Sequence, residues 1–254
     1  MDVLLQFAYE LEEKFMRSSQ LPLHQYDSDK ITAGYLKRYD PIFQPWLNKE
    51  IVLLELGVYK GGSLLLWRDY FQFGTIIGID ISLPKGFQDT NRIRVFEGSQ
   101  ADTVFLSKVA EEVAPNGFDI IIDDASHIGE LTKTAFWHLF DNHLKPNGLY
   151  VIEDWGTGYW SDWPDGKSLD FQSYSYTKNN RIRLALSQMF GLKFPFKSHS
   201  YGMVGFIKQL VDEQGAADVT RKGWKGKSTR GSRFDELIIT PSIVFVKKRS
   251  SQPT

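Results

Sequence analysis

The centre of the chain alternates short apolar runs with helical patterns, and this alternation restricts the fold more than any other feature. Ile51-Val52-Leu53-Leu54-Glu55-Leu56 is one such run, closed by Gly57, and Thr75–Asp80, Arg92–Glu97, Phe118–Ile122 and Leu149–Ile152 follow it. Runs of that length bounded by turn residues are strands buried on both faces. Between them, Ser63–Tyr70, Asp102–Val113 and Thr132–Leu144 carry helical spacing, the last stopped by Pro146-Asn147-Gly148. Strand, helix and strand in repetition give right-handed βαβ crossovers. The expected class is therefore α/β, with a mostly parallel sheet covered by helices on both faces. Ligands of such sheets bind at the carboxyl ends of the strands, so residues there carry the functional reading.

The flanks are organised differently. Val3, Leu4, Phe7, Leu11 and Phe15 fall at helical spacing, a polar stretch Ser18–Thr32 follows, and Tyr35–Trp46 reads as helix up to a break near Pro41. Residues 1–48 are expected to form a helical cap or lid on a domain of residues 49–254. Within that domain, residues 155–200 are polar and aromatic, with Trp155, Tyr159, Trp160 and Trp163 at their start, and are expected to act as an active-site loop region. A helix Met203–Gln214 and a final strand Ile238–Lys247 complete it. Between them Arg221–Arg233 carries six basic residues and three glycines, which reads as a solvated hairpin-like loop between late strands.

Composition removes whole classes of function. Thirty basic and 31 acidic residues leave a formal net charge of −1, which argues against a nucleic-acid partner held by a global basic field. Without cysteine there is no disulfide, thiolate nucleophile or Cys-ligated metal. No run approaches the roughly 18 apolar residues that span a bilayer, and Met1-Asp2-Val3 does not open a signal peptide. A cytoplasmic protein with no membrane partner is expected.

Gly57-Val58-Tyr59-Lys60-Gly61-Gly62-Ser63 joins the first strand to its helix. Glycines there permit a sharp turn and bring a ligand close to the helix N-terminus. Gly-x-x-x-Gly-Gly is neither the nicotinamide fingerprint nor a P-loop. Asp80 ends the second strand 23 residues after Gly57, where an acid can accept hydrogen bonds from both ribose hydroxyls. After the third strand, Gly98-Ser99-Gln100-Ala101-Asp102 offers polar groups suited to the border of an adenine ring. The fourth strand ends in Asp123-Asp124 with His127 close behind, and the fifth ends in Glu153-Asp154. Strand-end acids commonly cap helices. Two adjoining strands that both end in paired acids instead gather like charges that repel unless a cation or protons neutralise them, and oxygen ligands suit Mg²⁺ or Mn²⁺. Strand alternation decides which of Asp123 and Asp124 faces that site. His127 is either a helix cap or a general base.

An acid-bearing strand, glycine-rich turn, ribose acid and adenine-side polar turn, in that order, resemble the class I S-adenosylmethionine-dependent methyltransferases over roughly residues 50–155. Asp124-x-x-His127, Val151-Ile152-Glu153-Asp154, Tyr159-Trp160, Ser28-Asp29-Lys30 and Tyr201-Gly202-Met203-Val204-Gly205 narrow the resemblance to the Mg²⁺-dependent macrolide sugar O-methyltransferases. The resemblance implies a Rossmann-like fold with a mostly parallel seven-stranded sheet and an N-terminal helical cap. It implies S-adenosylmethionine at Lys30, Glu55, Gly57, Tyr59, Gly61, Ser63, Asp80, Ser99, Gln100 and Asp123. Mg²⁺ or Mn²⁺ would lie on Asp124, Glu153 and Asp154, with His127 as the base. The implied acceptor is a small molecule bearing a hydroxyl: a sugar, polyketide or phenolic diol. Relatives of this type commonly associate, so a homo-oligomer is compatible with it. The rival readings are an NAD-dependent oxidoreductase, disfavoured by the glycine spacing, and a non-catalytic scaffold, disfavoured by the clustered acids.

Overall fold

The computed structural model describes residues 16–87, 89–167, 202–223 and 225–250. The helix expected over Val3–Phe15, Tyr201, and the part of the 155–200 region beyond residue 167 lie outside the described residues. The chain divides into two compact units, Met1–Ala125 and Ser126–Thr254.

In the first unit, the helices are α1 (Asp29–Thr32), α2 (Leu36–Phe43), α3 (Gly62–Tyr70) and α4 (Thr103–Val113). Its strands are β1 (Val52–Leu56), β2 (Thr75–Asp80), β3 (Ile93–Glu97) and β4 (Phe118–Asp123), ordered β3-β2-β1-β4 and all parallel. Leu56 stands opposite Ile79 on one side and Asp123 on the other, so β1, β2 and β4 finish level. That register brings the glycine turn and the strand-end acids of this unit to one edge. Each helix start has a local reason: Gly61 takes a left-handed conformation before α3, and the Asp102 carboxylate caps α4 by accepting from the N–H groups of Val104 and Phe105.

Pro41 does not break its helix. α2 runs through it to Phe43 and passes into a short 3₁₀ turn, Gln44–Trp46. The lost hydrogen bond is outweighed by packing: Tyr39 and Phe43 are fully buried, with ring centroids 5.1 and 5.6 Å from that of Trp67 on α3.

The second unit contains α5 (Gly129–Asn142), β5 (Leu144–Glu153), a 3₁₀ turn Trp155–Tyr159, α6 (Pro164–Lys167), α7 (Gly202–Gln214), α8 (Ala216–Val219), β6 (Phe234–Ile239) and β7 (Ile243–Lys248). β7 pairs antiparallel with both β5 and β6. The seven strands expected are present, and the sheet is mixed rather than purely parallel: β3, β2, β1 and β4 pair parallel, while β7 runs antiparallel to β5 and β6. The single late strand expected over Ile238–Lys247 is likewise two, because Thr240-Pro241-Ser242 turns the chain, with Ser242 at φ 69°. So short a connection joins only antiparallel neighbours. Arg221–Arg233 therefore lies between α8 and β6 rather than between strands, and Arg230 and Arg233 both bond Glu213 of α7.

α5 also ends earlier than its sequence suggests, and Pro146-Asn147-Gly148 sits inside β5, with Asn147 at φ 61°. The Lys248 ammonium holds this junction, donating to the carbonyls of Phe140 and Leu144 at 2.5 and 2.8 Å. Phe136 is the centre of the unit's core, its ring 4.7 Å from Tyr150, 5.1 Å from Phe140 and 5.5 Å from Phe206.

Candidate functional site

The glycine turn of the first unit is shaped by sterics. Gly57 lies at φ +94°, and a Cβ there would stand 2.2 Å from the Asp124 carbonyl oxygen, so no side chain fits. Asp80 anchors the turn: its Oδ2 accepts from the N–H groups of Val58 at 2.7 Å and Tyr59 at 3.0 Å, while Oδ1 accepts from Ser82 N–H at 3.0 Å. The expected ribose acid thus also fixes the loop beside it. Tyr59 stands on this loop at φ 48° with its side chain 77% exposed. Gly61, at φ +83°, lies under the ring of Phe87, which an added Cβ would strike at 2.2 Å.

Beneath the turn lies a buried charge network. Glu55, on β1, accepts from Ser63 Oγ at 2.7 Å and from Trp67 Nε1 at 3.2 Å. The Lys30 ammonium, fully buried on α1, is 3.4 Å from Glu55 Oε1 and 2.5 Å from Asp124 Oδ2. Burial pushes the Glu55 carboxyl above its ordinary range, and the Lys30 charge opposes that shift. On β4, Asp123 is buried and accepts from Gln100 Nε2 at 3.1 Å. Ser99 faces its own turn, its Oγ accepting from Ala101 N–H. The structure thus joins Lys30, Glu55, Ser63 and Asp124 in one network and Gln100 with Asp123 in a second. Trp67, which no sequence motif singled out, belongs to the first.

In the second unit, His127 and Asp154 both occupy the left-handed region, at φ 51° and 52°. His127 Nε2 lies 3.9 Å from Asp154 Oδ2, and the Thr157 hydroxyl is 2.8 Å from the Asp154 carbonyl oxygen and 3.4 Å from that of His127. Non-glycine residues in this region cost about 1–3 kcal/mol each and persist where the surroundings over-determine them. Glu153, at the end of β5, is buried. His127 and Asp154 are half-buried.

Asp165 of α6 is a buried residue that sequence reasoning missed. Its Oδ2 accepts from the N–H groups of Gly129 and Met203, both at 2.7 Å, at the starts of α5 and α7. In sequence it follows a proline in a polar stretch and reads as solvated; nothing local marks it as a cap for distant helices.

No protein-family model matches the chain. Demethylmacrocin O-methyltransferase of Streptomyces fradiae is 39% identical over 247 residues, which are 85% of this chain and 59% of that protein. Mycinamicin VI 2''-O-methyltransferase of Micromonospora griseorubida is 44% identical over 133 residues, 50% of this chain and 32% of that protein. Among solved structures, MycE, a methyltransferase from the mycinamycin biosynthetic pathway in complex with Mg, SAH and mycinamycin VI, matches with a TM-score of 0.60 at 32% identity. That match covers 85% of this chain and 50% of MycE. The chain spans about half the length of the relatives it matches, between 32% and 59% for these two curated proteins. In sequence and in fold alike, this chain is similar to the macrolide sugar O-methyltransferases, and its curated homologues are enzymes of that kind.

Proposed function

We propose that the chain is an O-methyltransferase that moves the methyl group of S-adenosylmethionine to a sugar hydroxyl of a macrolide or related polyketide glycoside. The observation that carries this reading is the 39% identity with demethylmacrocin O-methyltransferase over 247 residues. Residues 49–254 would make up the catalytic domain and residues 1–48 its cap.

The Gly57–Ser63 turn gives the cofactor a close approach to backbone, and Asp80 presents a carboxylate beside it. Ser99, Gln100 and Asp123 would border the adenosine, while Lys30, Glu55, Tyr59 and Ser63 would line the remainder of the cofactor. S-adenosylmethionine supplies a methyl group on a cationic sulfur. The donor set fits a hard cation: Asp124, Glu153 and Asp154 offer carboxylate oxygens, which suit Mg²⁺. A cation held by these residues would supply Lewis acidity toward the acceptor hydroxyl.

An imidazole is a poorer ligand for so hard an ion, which leaves His127 the role of general base. It takes the acceptor's proton as the hydroxyl oxygen forms its bond to the methyl carbon and the carbon–sulfur bond breaks. Asp154 Oδ2 lies 3.9 Å from its Nε2. Holding oxygen, carbon and sulfur in line is worth roughly 7–11 kcal/mol in well-oriented reactions.

The test is calorimetry with S-adenosylhomocysteine in Mg²⁺ and in EDTA, with NAD as control, followed by methylation of demethylmacrocin. Binding of the homocysteine product and none of NAD is expected. His127→Ala should abolish turnover while sparing that binding. Failure to bind in either buffer sinks the reading, and binding of NAD instead would favour an oxidoreductase.

A further inference from the structure

We propose that the indole N–H of Trp163 is a hydrogen-bond donor to the methyl acceptor, placed to meet an uncharged sugar oxygen beside His127. The proposal rests on the methyltransferase reading and adds an acceptor-binding residue to it. Three tryptophans stand between residues 155 and 163, and their N–H groups have different fates. Trp155 Nε1 donates to the Thr240 carbonyl at 2.9 Å, which makes it structural. Trp160 is 54% exposed and open to water. Trp163 Nε1 is buried and, among the described residues, has no partner. Buried polar groups are nearly always paired, because a stranded donor costs folding free energy, so an orphan calls for a cause.

Position supplies one. The Trp163 ring centroid lies 5.9 Å from that of His127, the proposed base, and 6.5 Å from that of Trp160, which stands perpendicular to it. The backbone pins the residue there: Trp163 N–H donates to the Trp160 carbonyl and Lys167 N–H to the Trp163 carbonyl, each at 3.0 Å. An indole N–H donates and never accepts. It therefore suits a hydroxyl or ether oxygen of a neutral sugar rather than an ammonium group.

Trp163→Phe keeps most of the ring and removes the donor. The expected result is a KM for demethylmacrocin about 3- to 10-fold higher, as the loss of one neutral hydrogen bond gives. S-adenosylhomocysteine affinity should be unchanged, and the thermal midpoint equal to or above that of the parent, since a stranded donor is gone. An unchanged KM overturns the proposal; so does a lower midpoint with weaker cofactor binding, which would mark a packing role. In the unaltered protein labelled with ¹⁵N-tryptophan, the Trp163 Nε1–H resonance should move when demethylmacrocin is added to the S-adenosylhomocysteine complex. If that complex forms but the resonance stays fixed, or neither demethylmacrocin nor mycinamicin VI binds, this proposal fails while the cofactor assignment stands. If the homocysteine product itself does not bind, both fall.

Discussion

Asp165→Ala withdraws one carboxylate from two backbone donors at once. Oδ2 accepts from Gly129 and Met203 at 2.7 Å, and these residues open helices of 14 and 13 residues. The start of α5 has no side-chain cap of its own, and the two helix starts lie in close contact: a Cβ on Gly129 would be 2.1 Å from the Gly202 carbonyl carbon. Water has little room to replace the carboxylate. Hydrogen bonds to a charged group contribute about 1.5–3 kcal/mol each, so two amount to roughly 3–6 kcal/mol. The favourable position of a negative charge at helix N-termini adds to this, and relief from burying the carboxylate subtracts. We expect a net loss of about 3–5 kcal/mol. At roughly 2–4 °C per kcal/mol for a domain of this size, the midpoint falls by about 6–20 °C. Urea denaturation and calorimetry read the loss directly. Asp165→Asn keeps an acceptor oxygen without the charge and should fall between parent and alanine variant. Because Gly129 follows His127 by two residues, turnover below the midpoint should drop while S-adenosylhomocysteine binding holds. A loss under about 0.5 kcal/mol for the alanine variant would refute the reasoning, since ordinary surface changes reach that size.

Lys30→Met should cost about 3–5 kcal/mol in chemical denaturation, because it leaves Glu55 buried without its counter-charge. Burial already holds the Glu55 carboxyl above its ordinary value of 4.5, so its ionisation opposes folding as pH rises past that point; the variant should be closer to the parent in stability near about pH 5 than near about pH 8, and equal losses at both would contradict the assignment. Gly57→Ala combines a left-handed backbone with the collision at the Asp124 carbonyl, and calorimetry should show S-adenosylhomocysteine affinity weakened about tenfold or more. For Glu213, burial pushes the carboxyl up, but its hydrogen bonds to Arg230 and Arg233 prevail and hold it below 4.5. That stabilisation is present above 4.5 and is lost as pH falls through the lowered value. Glu213→Gln should therefore destabilise the protein near about pH 7, with the gap closing in acid-denaturation scans below about pH 4.

What could be read from the sequence depended on whether the cause was local. β2 could be placed at both ends, and β1, β3 and β4 to within a residue, because strands buried on both faces leave an apolar run closed by polar groups. The antiparallel direction of β7 could not, since it depends on which strands become neighbours. The Thr240-Pro241-Ser242 turn was hidden in the same way, because serine does not advertise a positive φ. α5 starts three residues before Thr132, the expected first residue, because its cap is Asp165, 36 residues on from Gly129. The ion pairs of Lys30 likewise span 94 residues to Asp124, so Lys30 was legible only through a motif.

The backbone adds a line of argument independent of those motifs. Among the described residues, five that are not glycine have positive φ: Tyr59, His127, Asn147, Asp154 and Ser242. Asn147 and Ser242 need no special account: asparagine tolerates the left-handed region well, and Ser242 belongs to the short turn between β6 and β7. The other three, Tyr59, His127 and Asp154, are residues that strand-end position and motif had already singled out; histidine and aspartate reach the left-handed region more readily than most residues, and tyrosine does not. The Thr157 hydroxyl also ties Asp154 to His127, donating to the carbonyl oxygens of both. Strain held at three points by specific contacts would relax under selection for stability alone. At His127 and Asp154, which the Thr157 hydroxyl ties together, that strain supports the roles proposed for them.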